Sequence, residues 1–248
     1  MDRWVIAIIL GLVVFALAPP PGLDLLGIGQ RFNGKLPPWL GGPSPSTMET
    51  LPPSELATML RELPVRTHSA RDEGAPDYDR QAFGQRWADE DHNGCDTRND
   101  ILARDLSRPA FRENSKCVVV GGSLAEPYTG SVVEFQRGEK TSELVQIDHV
   151  VSLSDAWWSG AWTWDAPTRQ RFANDPANLL AVDGKTNEDK GAASADRWLP
   201  PNRDFHCEYV STQIRVKHAW ALSVSEAERE AMAQVLSTCP LPQSGGEQ

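Results

Sequence analysis

The run from Leu144 to Val151, "LVQIDHVV", places an adjacent acid and imidazole, Asp148 and His149, inside strand-forming apolar sequence. An unpartnered polar group in a buried strand costs roughly 2–7 kcal/mol. A fold that keeps both residues must therefore give each a partner or a task. Downstream, "NLLAV" from Asn178 is a second strand-like run, and "GKTNEDKG" reads as a turn into a short helix that carries Asn187 and Lys190. Pairing the two runs, with the helix behind them, gathers Asp148, His149, Asn178, Asn187 and Lys190 around one point. A carboxylate and an amide oxygen are hard donors that suit Mg²⁺, with Mn²⁺ as a substitute, and a metal-free imidazole suits a general base.

The 248 residues allow one good core plus extensions. At the amino end, "MDRWVIAIILGLVVFALAPPPG" sets one Arg before an apolar run from Trp4 to Ala18, the layout of a secretory signal or a short membrane anchor. Pro19 directly after the small residues Ala16 and Ala18 obstructs cleavage. The run is also short of the roughly 17–25 apolar residues of a full span. Both readings stand, and both imply export. Residues 1–22 are thus read as signal peptide or anchor, the Pro/Gly-rich 23–53 as a linker, 54–240 as the folded domain and 241–248 as a disordered tail. A net charge of −10 and a pI near 5.0 argue against a broad basic surface, so an anionic substrate needs a local basic patch.

Four cysteines in an exported chain predict two disulfides. None is spaced as C-x2-4-C, which speaks against zinc. Arg203 to Trp220 and Glu226 to Leu236 read as helices, the second opened by the capping-box pair Ser225 and Glu228. Folded as a hairpin they bring Cys207 beside Cys239, which leaves Cys95 for Cys117. Ser54 caps a helix with the apolar stripe Leu56, Met59, Leu60 and Leu63. A further helix is expected in "TRNDILARDL", and strands in "KCVVV" and "SVVEF". The insert between the two site strands is expected to be irregular, its four tryptophans in "SDAWWSGAWTWD" forming a local core. In "DEDHNGCDTRND", Asp89, Asp91, Asn93 and Gly94 match the opening of a calcium loop, but its twelfth position is Asp100 instead of Glu. A turn with a helix N-cap is the preferred reading, with Ca²⁺ as the alternative.

The order D-H, N-L, N-x-x-K resembles the HNH endonucleases, in the variant where Asn replaces the final His. From "YDRQAFGQRWADEDHNGCDTRNDILARDL" through "WLPPN" to the last Cys, residues 78–239, the chain resembles the secreted actinobacterial HNH endonuclease family proteins, related to the domain of unknown function 1524. The resemblance implies an α+β fold with a ββα-metal (HNH) core surrounded by helices and a C-terminal helical hairpin. It implies His149 as the general base, Asn178 as its orienting residue, Asp148 and Asn187 as metal ligands, and Lys190, Arg98 and Arg197 as phosphate contacts. The expected protein is a secreted or membrane-tethered, metal-dependent endonuclease acting on DNA with low sequence specificity. The alternative is a non-catalytic extracellular module that binds calcium or a wall polymer through Asp89, Asp91 and Asn93.

Overall fold

The computed structural model describes residues 46–139 and 141–240. The expected signal or anchor, the linker as far as residue 45 and the tail lie outside them. Helices α1 (Thr47–Thr50) and α2 (Glu55–Glu62) come first, and a 3-10 turn at Arg80–Phe83 precedes α3 (Thr97–Asp105). Strands β1 (Leu106–Phe111), β2 (Val119–Ala125) and β3 (Val132–Gln136) form an antiparallel sheet in that order. β4 (Val145–His149) is followed by α4 (Leu153–Trp158) and α5 (Ala166–Ala173), after which β5 (Leu179–Asp183) returns antiparallel to β4, with Val145 opposite Asp183 and His149 opposite Leu179. Helices α6 (Gly184–Lys190), α7 (His206–Ala219) and α8 (Glu226–Thr238) follow among the described residues. The fold is α+β. Among the described residues no helix is long and apolar enough to cross a membrane.

The expected hairpin and helix form a continuous ββα unit. Asp183 accepts from the Thr186 amide at 2.7 Å and so caps α6, while the Gly184 amide donates to the Leu144 carbonyl at 3.0 Å. A Cβ at position 184 would run into the Glu143 carbonyl oxygen, so the turn requires glycine. The β4–β5 pair is a wall shared by two cores. Ile147 and Ala181 pack toward Ile101 and Leu102 of α3, whereas Val182 joins Leu60, Tyr209, Ile214 and Met232 from α2, α7 and α8. Both disulfides form as the pattern predicted: Cys95–Cys117, with Cα atoms 5.1 Å apart, ties the approach to α3 to that of β2, and Cys207–Cys239 (5.7 Å) staples α7 to α8.

Two expectations need correction, and one strand was not anticipated. The folded part starts before Ser54: Ser46 opens α1 with a capping box, Met48 and Leu51 are buried, and the Thr47 amide donates to Glu230 of α8 at 3.0 Å. The insert is helical, with Ser152 and Asp165 capping α4 and α5. Its tryptophans do build a local core, in which Trp157, Trp158, Trp162 and Trp164 pack with Phe83, Phe172 and Trp220. Finally, the stretch after α3 is a strand, β1, containing Pro109. Its pairing slips between Ser107 and Ala110, where Arg108 adopts φ 51°, and an edge strand tolerates the missing proline N–H.

A second buried ionic group braces the helices. Lys217 of α7 lies 2.7 Å from both Asp155 of α4 and Glu228 of α8, with no exposure of its side chain. Burial opposes its charge, but the two carboxylates prevail and raise its pKa. Replacing Lys217 by Met takes the ammonium from buried Glu228 and partly buried Asp155 and is expected to lower unfolding free energy by about 3–5 kcal/mol in a denaturant titration. A loss well under 1 kcal/mol would contradict this account of the brace.

Candidate functional site

Asp148 and His149 are consecutive in β4, so the pleat sends their side chains to opposite faces. On one face Tyr128 Oη donates to Asp148 Oδ2 at 2.6 Å, and Lys190 Nζ, from the last turn of α6, donates to Oδ1 at 3.0 Å. Lys190 also donates to the His149 carbonyl at 2.9 Å. All three side chains are buried. Tyr128 is held in place by buried Glu126, whose carboxylate accepts the amides of Tyr128 at 2.9 Å and of Asp183 at 3.1 Å. Burial pushes the Asp148 carboxyl above its usual range, opposed by the Lys190 charge and the Tyr128 hydroxyl. Burial and the Asp148 charge also hold the Tyr128 phenol well above its ordinary value, so it remains a donor.

On the other face His149 borders a cleft of about 420 Å³ together with Asp79, Arg80, Gln85, Arg86, Trp87 and Ala173. His149 Nε2 lies 2.8 Å from the Ala173 carbonyl. A carbonyl oxygen only accepts, so Nε2 carries the proton and Nδ1 of the neutral ring keeps its lone pair. Trp87 lies nearly parallel to the imidazole, centroids 6.1 Å apart and planes 12° apart. Its φ of 58° is unusual for a bulky residue. Burial pushes the His149 pKa down to about 4, with the positive charges of Arg80, Lys190 and Arg86 adding to the shift against the Ala173 hydrogen bond. At neutral pH the ring is an uncharged base.

The cleft wall is docked on α5. Arg169 Nε donates to the Ala82 carbonyl at 2.8 Å, Gln170 Oε1 accepts the Gln85 amide at 3.0 Å, and Asn174 Nδ2 donates to the Gln85 carbonyl at 3.3 Å. Phe83, buried among Tyr78, Trp157 and Phe172, anchors the same segment. Neither the wall nor Tyr128 was singled out from sequence. The signal available was the interleaving of arginine and aromatic residues in "YDRQAFGQRW".

The other expected residues take different places. Asn178 is buried and clamps the chain leaving β4: its Oδ1 accepts the Val151 amide at 2.8 Å, its Nδ2 donates to the Val151 carbonyl at 3.0 Å, and its own carbonyl accepts the Val150 amide at 2.8 Å. It fixes the strand end, while Ala173 fixes the ring. Lys190, expected at phosphate, is sequestered beneath the strand. Arg98 donates to the Val145 carbonyl at 3.1 Å, bracing β4 from α3. Arg197 is 78% exposed beside Asp196 and does not line the cleft. Asp89 and Asp91 accept the Asn93 amide at 3.1 and 3.2 Å, Asn93 accepts the Cys95 amide at 2.7 Å, and Asp96 caps α3. These bonds close a turn that leads into the N-cap of α3.

The arrangement does not fit a divalent ion held by Asp148 and Asn187. Both oxygens of Asp148 are engaged, one by an ammonium that would repel a dication at the same atom. Asn187 Nδ2 donates to Gln146 Oε1 at 2.8 Å, and the two expected ligands share no hydrogen-bond partner. Among the described residues no group of three or more His, Cys, Asp and Glu side chains is arranged to hold a metal ion.

Comparison with known proteins adds a relationship to this geometry. Residues 96–235 match the family described as GmrSD restriction endonucleases, C-terminal domain. An uncharacterized secreted protein of Arthroderma benhamiae is 35% identical over 204 residues, covering 81% of this chain and 93% of that one. No solved structure matches.

Because burial is the largest influence on His149, removing the indole that covers it should readmit water. Trp87→Ala is expected to raise the His149 pKa from about 4 toward the ordinary value near 6.5, read by an NMR titration of the imidazole carbons. A midpoint still near 4 would contradict the role given to Trp87.

Proposed function

The chain belongs to the family of GmrSD restriction endonuclease C-terminal domains, and from that premise we propose that it is a secreted HNH-type endonuclease, related to the domain of unknown function 1524, that hydrolyses DNA phosphodiesters at the His149 cleft. The observation that carries this reading is a neutral imidazole of fixed tautomer bordering a cleft lined by two arginines. A water placed at Nδ1 loses its proton to His149 as its oxygen attacks phosphorus. The P–O bond to the leaving sugar oxygen breaks, and solvent supplies that oxygen's proton. The Ala173 carbonyl accepts from Nε2–H throughout and stabilises the imidazolium that forms. The guanidinium groups of the cleft offset charge on the phosphoryl oxygens. No step is routed through Asp148, which faces away.

Low sequence specificity is supported by the chain's net charge of −10 and by the lack of a zinc-finger or helix-turn-helix signature in its sequence. Two disulfides and a secreted relative support an extracellular site of action. Residues 1–22 would direct export and, if retained, tether the enzyme to the membrane.

The test is nicking of supercoiled plasmid by the purified chain with disulfides intact, in Mg²⁺, in Mn²⁺ and in EDTA. His149→Ala is expected to reduce the rate by about 10²–10⁴-fold. A base works unprotonated, so cleavage should persist as pH falls from 7 through 6 and fail only on approach to the His149 pKa of about 4. Full-rate cleavage by His149→Ala would overturn the proposal.

A further inference from the structure

The residues first expected to touch phosphate are committed elsewhere: Lys190 to Asp148, Arg98 to the backbone of β4, and Arg197 to a position outside the cleft. The cleft nonetheless presents two guanidinium groups. Arg80 and Arg86 both line it beside His149, and among the described residues neither forms an ion pair, whereas Arg66, Arg71, Arg104 and Arg229 are each matched to a carboxylate. Both are exposed, yet their backbone is rigidly mounted, pinned by buried Phe83 between them and by the Arg169, Gln170 and Asn174 bonds from α5. Arg86 is further ordered by its position 5.3 Å over the Trp87 ring. Exposed guanidinium groups on a fixed wall suit capture of a polyanion, and their planar donors match phosphate oxygens in pairs. In a chain of net charge −10 the anion must be met by such a local patch. This wall, residues 79–87, precedes the segment 96–235 that matches the nuclease family, so the feature is supplied from outside that match.

We infer that Arg80 and Arg86 are the residues that grip the nucleic-acid backbone in the cleft and hold a phosphate against His149. The inference rests on the reading of His149 as the hydrolytic base. Specificity then resides in backbone charge, with Trp87 presenting an apolar floor beside the phosphate.

The experiment uses the full chain carrying His149→Ala, so that bound DNA stays uncut, and measures fluorescence anisotropy of a short labelled strand and its duplex across a salt series. Arg80→Gln and Arg86→Gln are each expected to weaken Kd about tenfold and to reduce the slope of log K against log salt by about one. Arg86→Lys, which keeps the charge, should retain the slope while binding more weakly than arginine. Arg197→Gln should change neither quantity. Equal affinity and salt slope in the Arg80→Gln/Arg86→Gln double variant, with an unchanged melting temperature, would overturn the inference. So would failure of the His149→Ala protein to bind either DNA at micromolar concentration. If His149→Ala still cleaves, the reading of His149 fails on its own, and the affinities continue to judge the arginines separately.

Discussion

Lys190 Nζ sits 3.0 Å from Asp148 Oδ1 and 2.9 Å from the His149 carbonyl, with both charged groups removed from water. A buried pair of this kind contributes little net stability over a well-packed apolar pair, yet losing one partner leaves a charge stranded in the interior. Its effect is therefore geometric. Lys190 is the last residue of α6 and Asp148 lies near the end of β4, so the pair, completed by Tyr128, locks helix to strand at one register. With Asp148 drawn to the helix side, the pleat leaves His149 no face but the other, toward the cleft.

The remaining buried polar groups carry that placement outward. Asn178 closes three hydrogen bonds on Val150 and Val151 and so fixes the direction in which the chain leaves His149. The Ala173 carbonyl, at the end of α5, selects the tautomer, and the same helix docks the cleft wall through Arg169, Gln170 and Asn174. Strand, insert and wall thus meet at one imidazole. Among the side chains that dock the wall, Asn174 Oδ1 is buried without a hydrogen-bond partner.

The parts legible in sequence were those written in local pattern. The Asp148–His149 doublet, the two site strands and α6 follow from apolar runs and turn composition, and the Cys207–Cys239 staple from two helices with a capping box. What stayed hidden depends on distant partners. Tyr128 lies 20 residues before Asp148 and nothing in "EPYTG" marks it as the acid's donor. Lys190, within "NEDKG", looks like a solvated charge or a phosphate contact because its own neighbours are polar, although it is buried by packing from elsewhere. The insert reads as irregular because tryptophan and glycine dilute its helical signal, and only packing of Trp157 and Phe172 against Phe83 settles α4 and α5. The metal expectation was tied to Asp148 and Asn187 by residue type, and residue type does not reveal which face of the strand a carboxylate serves.

The most direct test of this account is a double-mutant cycle on unfolding free energy with Asp148→Asn, Lys190→Met and the double variant. The account predicts that each single change costs about 3–5 kcal/mol and that the double variant is more stable than at least one single, a coupling of more than 1 kcal/mol. Costs that simply add would contradict it, because Asp148 and Lys190 would then not depend on each other to set β4 against α6.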